Sequence, residues 1–288
     1  MIPAAFDYKV PATLEEAVSL LAADPDGAKV LAGGHSLIPA MKLRLAQPQL
    51  LVDIARIKLL SYIREDGNQI LIGATTTHYQ LESSDLLKQI CPLLPACAAS
   101  IGDVQVRNKG TIGGSIAHSD PAGDWPAAVL ALDADLVLVG PNGERTVKAT
   151  NFFVDLLTTD LQPSEILREI RIQKPSGRFG QAYQKAPHPA SGFAVVGIAV
   201  HLSFNDDGSC KAAQIGVTGV GVKAYRAQGV EAALAGKNLD EQTITAAVSH
   251  VCDGVDPNAD LYASGEYRCH LAQVHTRRAL QAAKANVK

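Results

Sequence analysis

The feature that most restricts this chain is a pair of glycine doublets, one in Ala32-Gly33-Gly34-His35-Ser36 and one in Thr111-Ile112-Gly113-Gly114-Ser115. The first lies where a short strand-like run, Lys29–Ala32, passes into a helical pattern over Ser36–Leu45. Pro39 sits early in that helix, where its missing N–H does little harm. A strand that turns through glycines into a helix presents backbone N–H groups to an anion. The second doublet reads as a strand-like or turn segment, between Arg107-Asn108-Lys109-Gly110 and the turn-rich stretch His118–Pro126. Either doublet alone is an ordinary turn. Together they read as a clamp that could hold a pyrophosphate from both sides with backbone N–H groups. Neither fits G-x-G-x-x-G or G-x-x-x-x-G-K-[ST], so the Rossmann and P-loop readings are disfavoured.

Around these doublets the chain divides into three stretches, 1–57, 58–176 and 177–288. The first reads β-α-β, with strands at Phe6–Val10, Lys29–Ala32 and Leu50–Ile54. Its first helix opens on the capping box Thr13–Glu16 and runs to about Ala23. In the second stretch Gln69–Gly73 and Asp135–Gly140 are strands, and Pro141-Asn142-Gly143 is a hairpin turn before Arg145–Ala149. Leu86–Ile101 is helical but broken at Pro92 and Pro95. Ile166–Ile172 alternates apolar and charged residues as an edge strand would. Beyond Lys174–Gly177, Phe193–Phe204 and Cys210–Val217 flank the turn Asn205–Gly208. Helices follow at Ala227–Leu234, Asp240–Cys252 and Tyr267–Asn286. The order is α+β in character.

Composition narrows the function. Hydrophobic residues make up 47% and the net charge is -3 without a basic stripe, which speaks against nucleic acid as a partner. No run spans a bilayer, since Ala127–Val139 is short and interrupted by Asp133 and Asp135. The first residues lack the pattern of a signal peptide, so a cytoplasmic location is expected. Cys91, Cys97, Cys210, Cys252 and Cys269 include no C-x-x-C pair. They predict free thiols in a reducing compartment, and neither a zinc site nor an iron–sulfur cluster. An electron carrier in this chain would have to be organic.

AGGHSLIPAMKLRL at Ala32–Leu45 and VQVRNKGTIGGSIAHSDPAGDWPA at Val104–Ala127 resemble the FAD-binding subunit of the molybdenum hydroxylases, the family of xanthine dehydrogenase and aerobic carbon monoxide dehydrogenase. The likeness is greatest to the medium subunit of the latter and covers essentially the whole chain. It implies an α+β fold of two N-terminal subdomains holding FAD, as in vanillyl-alcohol-oxidase and p-cresol methylhydroxylase type flavoproteins. A C-terminal α/β domain of the CO dehydrogenase flavoprotein type would complete it. The resemblance places the diphosphate loops on Leu31, Ala32, Gly33, Gly34, His35 and Ser36, and on Thr111, Ile112, Gly113, Gly114 and Ser115. It matches Asp124 to an acidic residue that holds ribityl or ribose hydroxyls. Ile101 and Leu161 match apolar positions beside the flavin, Lys185 a basic residue at its polar edge, and Phe193 an aromatic position near the ring. It further implies a large molybdopterin subunit, a small subunit with two [2Fe–2S] clusters, and assembly as a dimer of heterotrimers. Electrons would pass to an external acceptor, and the complex would be peripheral to the inner face of the membrane. The substrate class on the large subunit, carbon monoxide, an aldehyde or an N-heteroaromatic, is left open.

The chain departs from the family at several points. Ser115 replaces a common Asn, Trp125 a common Leu or Met, and Gly192 a common Asp; Phe193 lacks the hydroxyl of a Tyr found in some members. Plainer roles also compete for single residues. Asp124 could cap a helix opening at Pro126, Lys185 could be a surface cation, and Phe193 could be core. His35 reads as a packing residue, and His118 with Asp120 reads as a turn as readily as a dyad. Two other functions compete with the subunit reading: a stand-alone FAD-dependent oxidoreductase, and a non-redox nucleotide-binding interaction module. No residue is expected to act as a proton-transfer catalyst, and no metal ligand is expected.

Overall fold

A computed structural model describes all of residues 1–288. Three sheets follow one another along the chain. In the first, β1 (Asp7–Lys9), β2 (Ala28–Leu31) and β3 (Leu50–Asp53) are parallel, in the order β1-β3-β2. Between the strands lie α1 (Leu14–Ala23) and α2 (Leu37–Lys42). The Thr13 hydroxyl accepts from the Glu16 N–H, which starts α1 where the capping pattern predicts. Ala17, Val18 and Leu21 of α1 then pack on Ala28 and Val52.

The second sheet is antiparallel and mixed in its connections. It comprises β4 (Ile63–Asp66), β5 (Gln69–Gly73), β6 (Asp135–Gly140), β7 (Gly143–Lys148) and, much later in the chain, β10 (Ile166–Gln173). Between β5 and β6 run six helices: α3 (His78–Ser83), α4 (Asp85–Ile90), α5 (Leu93–Ala99), α6 (Val104–Lys109), α7 (Ile112–His118) and α8 (Asp124–Ala131). After β7 come α9 (Ala149–Phe152) and the small hairpin of β8 (Phe153–Asp155) and β9 (Thr158–Thr159). The sheet order is β4-β5-β10-β6-β7, so β10 is central and the edge-strand expectation for Ile166–Ile172 is overturned. Its charges face a buried network rather than solvent. Glu169 is 1% exposed, accepts from the Tyr62 hydroxyl, and is bonded by Arg171 at 2.5 Å. Apolar–charged alternation cannot distinguish water from such a network.

The third sheet, β11 (Phe179–Pro187), β12 (Ala194–Phe204), β13 (Cys210–Thr218) and β14 (Tyr225–Arg226), carries α10 (Gln228–Leu234), α11 (Glu241–Val248) and the long α12 (Gly265–Ala285) on its apolar face. Helix α8 joins it to the rest. Every residue of α8 is buried, as a helix apolar all round requires. It packs against β12 and β13, where a Cβ at Gly216 would overlap the Ala127 carbonyl oxygen.

Two further expectations are corrected. Thr111–Ser115 is neither strand nor simple turn: the Thr111 hydroxyl accepts from the Gly114 N–H and caps α7, so both glycines lie in its first turn. Nor are all five cysteines free, because Cys252 and Cys269 form a disulfide. The excursion from the end of α11 returns on the second turn of α12, and the two Cα atoms come within 6.1 Å. Closing a loop of that length stabilises a domain by about 3 kcal/mol. We expect Cys252→Ser to lower the thermal midpoint by several degrees under non-reducing conditions, with the difference from wild type vanishing in dithiothreitol.

Candidate functional site

The two glycine loops meet. Leu31 ends β2, and Ala32–Ser36 carries the chain into α2 with Gly34 at φ +76°, a conformation that favours glycine. A Cβ at Gly33 would overlap the Lys109 carbonyl oxygen and stand 2.8 Å from the Gly110 Cα. Only glycine lets the first loop lie this close to the segment leading into the second. A Cβ at Gly114 would stand 3.9 Å from the Ala32 side chain, so the apposition continues into α7.

Their backbone donors are used unequally. Those of Ala32, Gly33, Gly34, His35, Ser36 and Leu37 donate to no group within the protein. In the second loop Ile112 donates to the Thr76 carbonyl, Gly113 to the Ala74 carbonyl, Gly114 to the Thr111 hydroxyl and Ser115 to the Thr111 carbonyl. A symmetric N–H clamp is therefore not what the fold builds. The first loop offers a run of unused N–H groups suited to a diphosphate, and the second, its own N–H groups taken up internally, is a wall against it.

The other predicted residues gather around the turn at 100–102. Lys185, on β11, donates to the Ser100 carbonyl and to Asp124, both at 2.9 Å. Neighbouring Ile101 is half-buried against the main core, and its carbonyl accepts from Arg107. Gly192, at φ +72°, lies against Gly102, which brings the following Phe193 to the same turn. Phe193 precedes β12 rather than beginning it and is 47% exposed, so it is not core. Leu161 lies apart from this group, half-buried just after β9, which packs on α7. His35 is exposed on the first loop. His118 and Asp120 share no hydrogen bond; Asp120 instead accepts from the Ala122 N–H in a turn.

Asp124 does not act as a helix cap. It is the first residue of α8, with Gly123 at the cap position. It is 5% exposed, with one carboxylate oxygen on Lys185 and the other accepting from the Tyr183 hydroxyl at 2.5 Å. Burial pushes its carboxyl above the usual range, opposed by the ammonium and the hydroxyl. Lys185 is as deeply buried and is no surface cation.

Sequence reasoning missed the support beneath the loops. Trp125 donates to His78 Nδ1 at 3.0 Å, and the His78 N–H donates to the Gly110 carbonyl at 2.9 Å. The unusual Trp125 was the one visible signal, and its partner lies 47 residues away. Burial, with His35 and Arg107 as neighbouring charges, pulls the His78 imidazole down to about 4 from 6.5. An unfolded chain binds this proton near pH 6.5 and the native one only near 4. Stability should therefore be full above about 6.5 and fall by about 3 kcal/mol as pH drops through that window. His78→Leu should flatten the pH profile of urea midpoints there, and a profile as steep as wild type would contradict the assignment.

Comparison with known proteins agrees with this geometry. Residues 4–175 match the FAD-binding domain of molybdopterin dehydrogenases, and residues 181–283 match the CO dehydrogenase flavoprotein C-terminal domain. The chain is 41% identical to the carbon monoxide dehydrogenase medium chain of Hydrogenophaga pseudoflava, over 99% of both chains. It is 40% identical to that of Afipia carboxidovorans, over the full length of both. A solved structure of the Hydrogenophaga pseudoflava enzyme contains a chain that superposes with a TM-score of 0.97 at 42% identity, covering all of both chains. No helix is long and apolar enough to cross a membrane. This chain belongs to the FAD-binding medium subunits of the molybdenum hydroxylases and is similar over its whole length to those of carbon monoxide dehydrogenase.

Proposed function

We propose that this chain is the electron-transfer subunit of a molybdenum hydroxylase built from three kinds of chain. A large molybdopterin subunit would oxidise the substrate, and a small subunit with two [2Fe–2S] clusters would carry the electrons here. They would leave from this chain to an external acceptor. FAD, when bound, supplies the exchange between one-electron and two-electron carriers. The observation that carries the reading is the row of unused N–H groups from Ala32 to Leu37, packed at Gly33 on Lys109 and Gly110.

In this reading the diphosphate lies on Ala32, Gly33, Gly34, His35 and Ser36 beyond Leu31. Thr111, Ile112, Gly113, Gly114 and Ser115 form the opposite wall. Ile101, Leu161 and Phe193 enclose the flavin end, and Lys185, held by Asp124, faces its polar edge. The divisions 1–57, 58–176 and 177–288 serve as two cofactor-binding subdomains and a C-terminal domain. The assembly would be a dimer of heterotrimers, cytoplasmic, touching the inner face of the membrane only through the complex. The substrate is set by the large chain: carbon monoxide, an aldehyde or an N-heteroaromatic.

Affinity purification of the tagged full chain from its own cells, with whatever chains accompany it, tests the reading. A yellow preparation that releases FAD, with one iron–sulfur and one molybdopterin chain present, is expected. A colourless preparation that takes up no added FAD would refute it.

A further inference from the structure

We propose that His78 is a further cofactor-binding residue, whose Nε2–H donates to an anionic oxygen of the bound dinucleotide at the seam of the two loops. The inference rests on FAD being the ligand of those loops, and it adds a side-chain donor to a site otherwise made of backbone.

The imidazole has a fixed tautomer. Indole nitrogen can only donate, so the Trp125 bond at 3.0 Å makes Nδ1 the acceptor and leaves the ring proton on Nε2. Burial keeps the ring neutral at working pH, so this assignment holds where the protein operates. The His78 backbone N–H, on the Gly110 carbonyl at 2.9 Å, ties this stretch of main chain to the second loop.

The Nε2–H has no acceptor in the protein. His78 is 95% buried by its 5% exposure, yet Nε2 is not among the fully buried, unpartnered side-chain atoms of the chain, so the N–H opens to accessible space. Nε2 packs closely on Gly110, where a Cβ would stand 2.6 Å from it. Gly110 is also the residue on which Gly33 rests. Trp125, His78, Gly110 and Gly33 therefore form one stack, from the all-buried α8 up to the row of free N–H groups. The Trp125 bond sets the ring's orientation and so aims an Nε2–H that no protein group accepts. Donation to a phosphate oxygen satisfies it.

The experiment measures dissociation constants for FAD, ADP and riboflavin on deflavinated full chain, purified with the chains that accompany it. His78→Leu keeps an apolar volume and removes the donor, while His78→Gln restores an N–H near the Nε2 position. His78→Leu is expected to weaken FAD and ADP by about tenfold or more, the range for a hydrogen bond to a charged group, and to leave riboflavin unchanged. His78→Gln should recover most of that loss. Trp125→Phe, which frees the ring to take either tautomer, should weaken FAD several-fold and serves if His78→Leu does not fold. Equal losses for FAD and riboflavin, no recovery in His78→Gln, or wild-type affinity in both His78→Leu and Trp125→Phe would overturn the inference while leaving the flavin reading intact. Wild-type protein that binds none of the three ligands would overturn both.

Discussion

Gly33→Val should abolish FAD binding, raising the dissociation constant by about a hundredfold or more while the chain still folds. The reason is steric and local. The new Cβ would overlap the Lys109 carbonyl oxygen and press on the Gly110 Cα. Both are backbone atoms, so no flexible side chain can give way, and the first loop must lift from the second. Lifting the loop would move the unused N–H groups of Ala32 to Leu37 away from the wall that the second loop forms. Losing even two hydrogen bonds to a charged diphosphate, at about 1.5 kcal/mol or more each, accounts for the hundredfold. The apo protein should lose only about 1–3 kcal/mol, the usual cost of overpacking. Gly67→Ala is the matched control. Gly67 has φ +56° and nothing within 4 Å of its Cβ position, so the substitution strains a turn far from the loops and should leave FAD affinity unchanged. Flavin fluorescence titration reads both. Wild-type affinity in Gly33→Val would remove the loop apposition from the account of the site.

How much of this was legible beforehand depended on whether a signal was local. The capping pattern at Thr13–Glu16, the turn before Gly143 and the strand–glycine–helix passage at Ala32–Ser36 are short-range codes, and the fold honours each. The second loop was half legible. Its glycines marked a close approach, but the helix they enter depends on the Thr111 hydroxyl and on Ala74 and Thr76 taking up its N–H groups. Pairings across the chain left no trace. Glu169 with Tyr62, Cys252 with Cys269 and His78 with Trp125 are joined by topology, and alternation or spacing along the sequence says nothing about them. The family resemblance assigned both Asp124 and Lys185 to the surroundings of one cofactor. It could not show that their first partners are each other.

That pairing leads to the second large effect. Asp124→Ala should destabilise the chain by about 3–5 kcal/mol, because it strands the ammonium of Lys185, whose side chain is 6% exposed, with only the Ser100 carbonyl to meet it, and orphans the Tyr183 hydroxyl. The native pair need not itself be a large net source of stability, since desolvating both charges offsets much of their attraction. A double replacement separates these roles. Asp124→Leu with Lys185→Met removes both buried charges at once, and should recover most of the loss in a urea titration. If stability were the pair's purpose, flavin affinity would recover with it. If the carboxylate exists to hold an ammonium at the 100–102 turn, beside Ile101 and Phe193, affinity should stay low in the stable double variant. Urea midpoints and FAD titrations on the same three proteins distinguish the two. A single variant that loses less than about 1 kcal/mol would mean that water reaches the ammonium, and the pair would then be neither a buried constraint nor the means by which Lys185 is positioned.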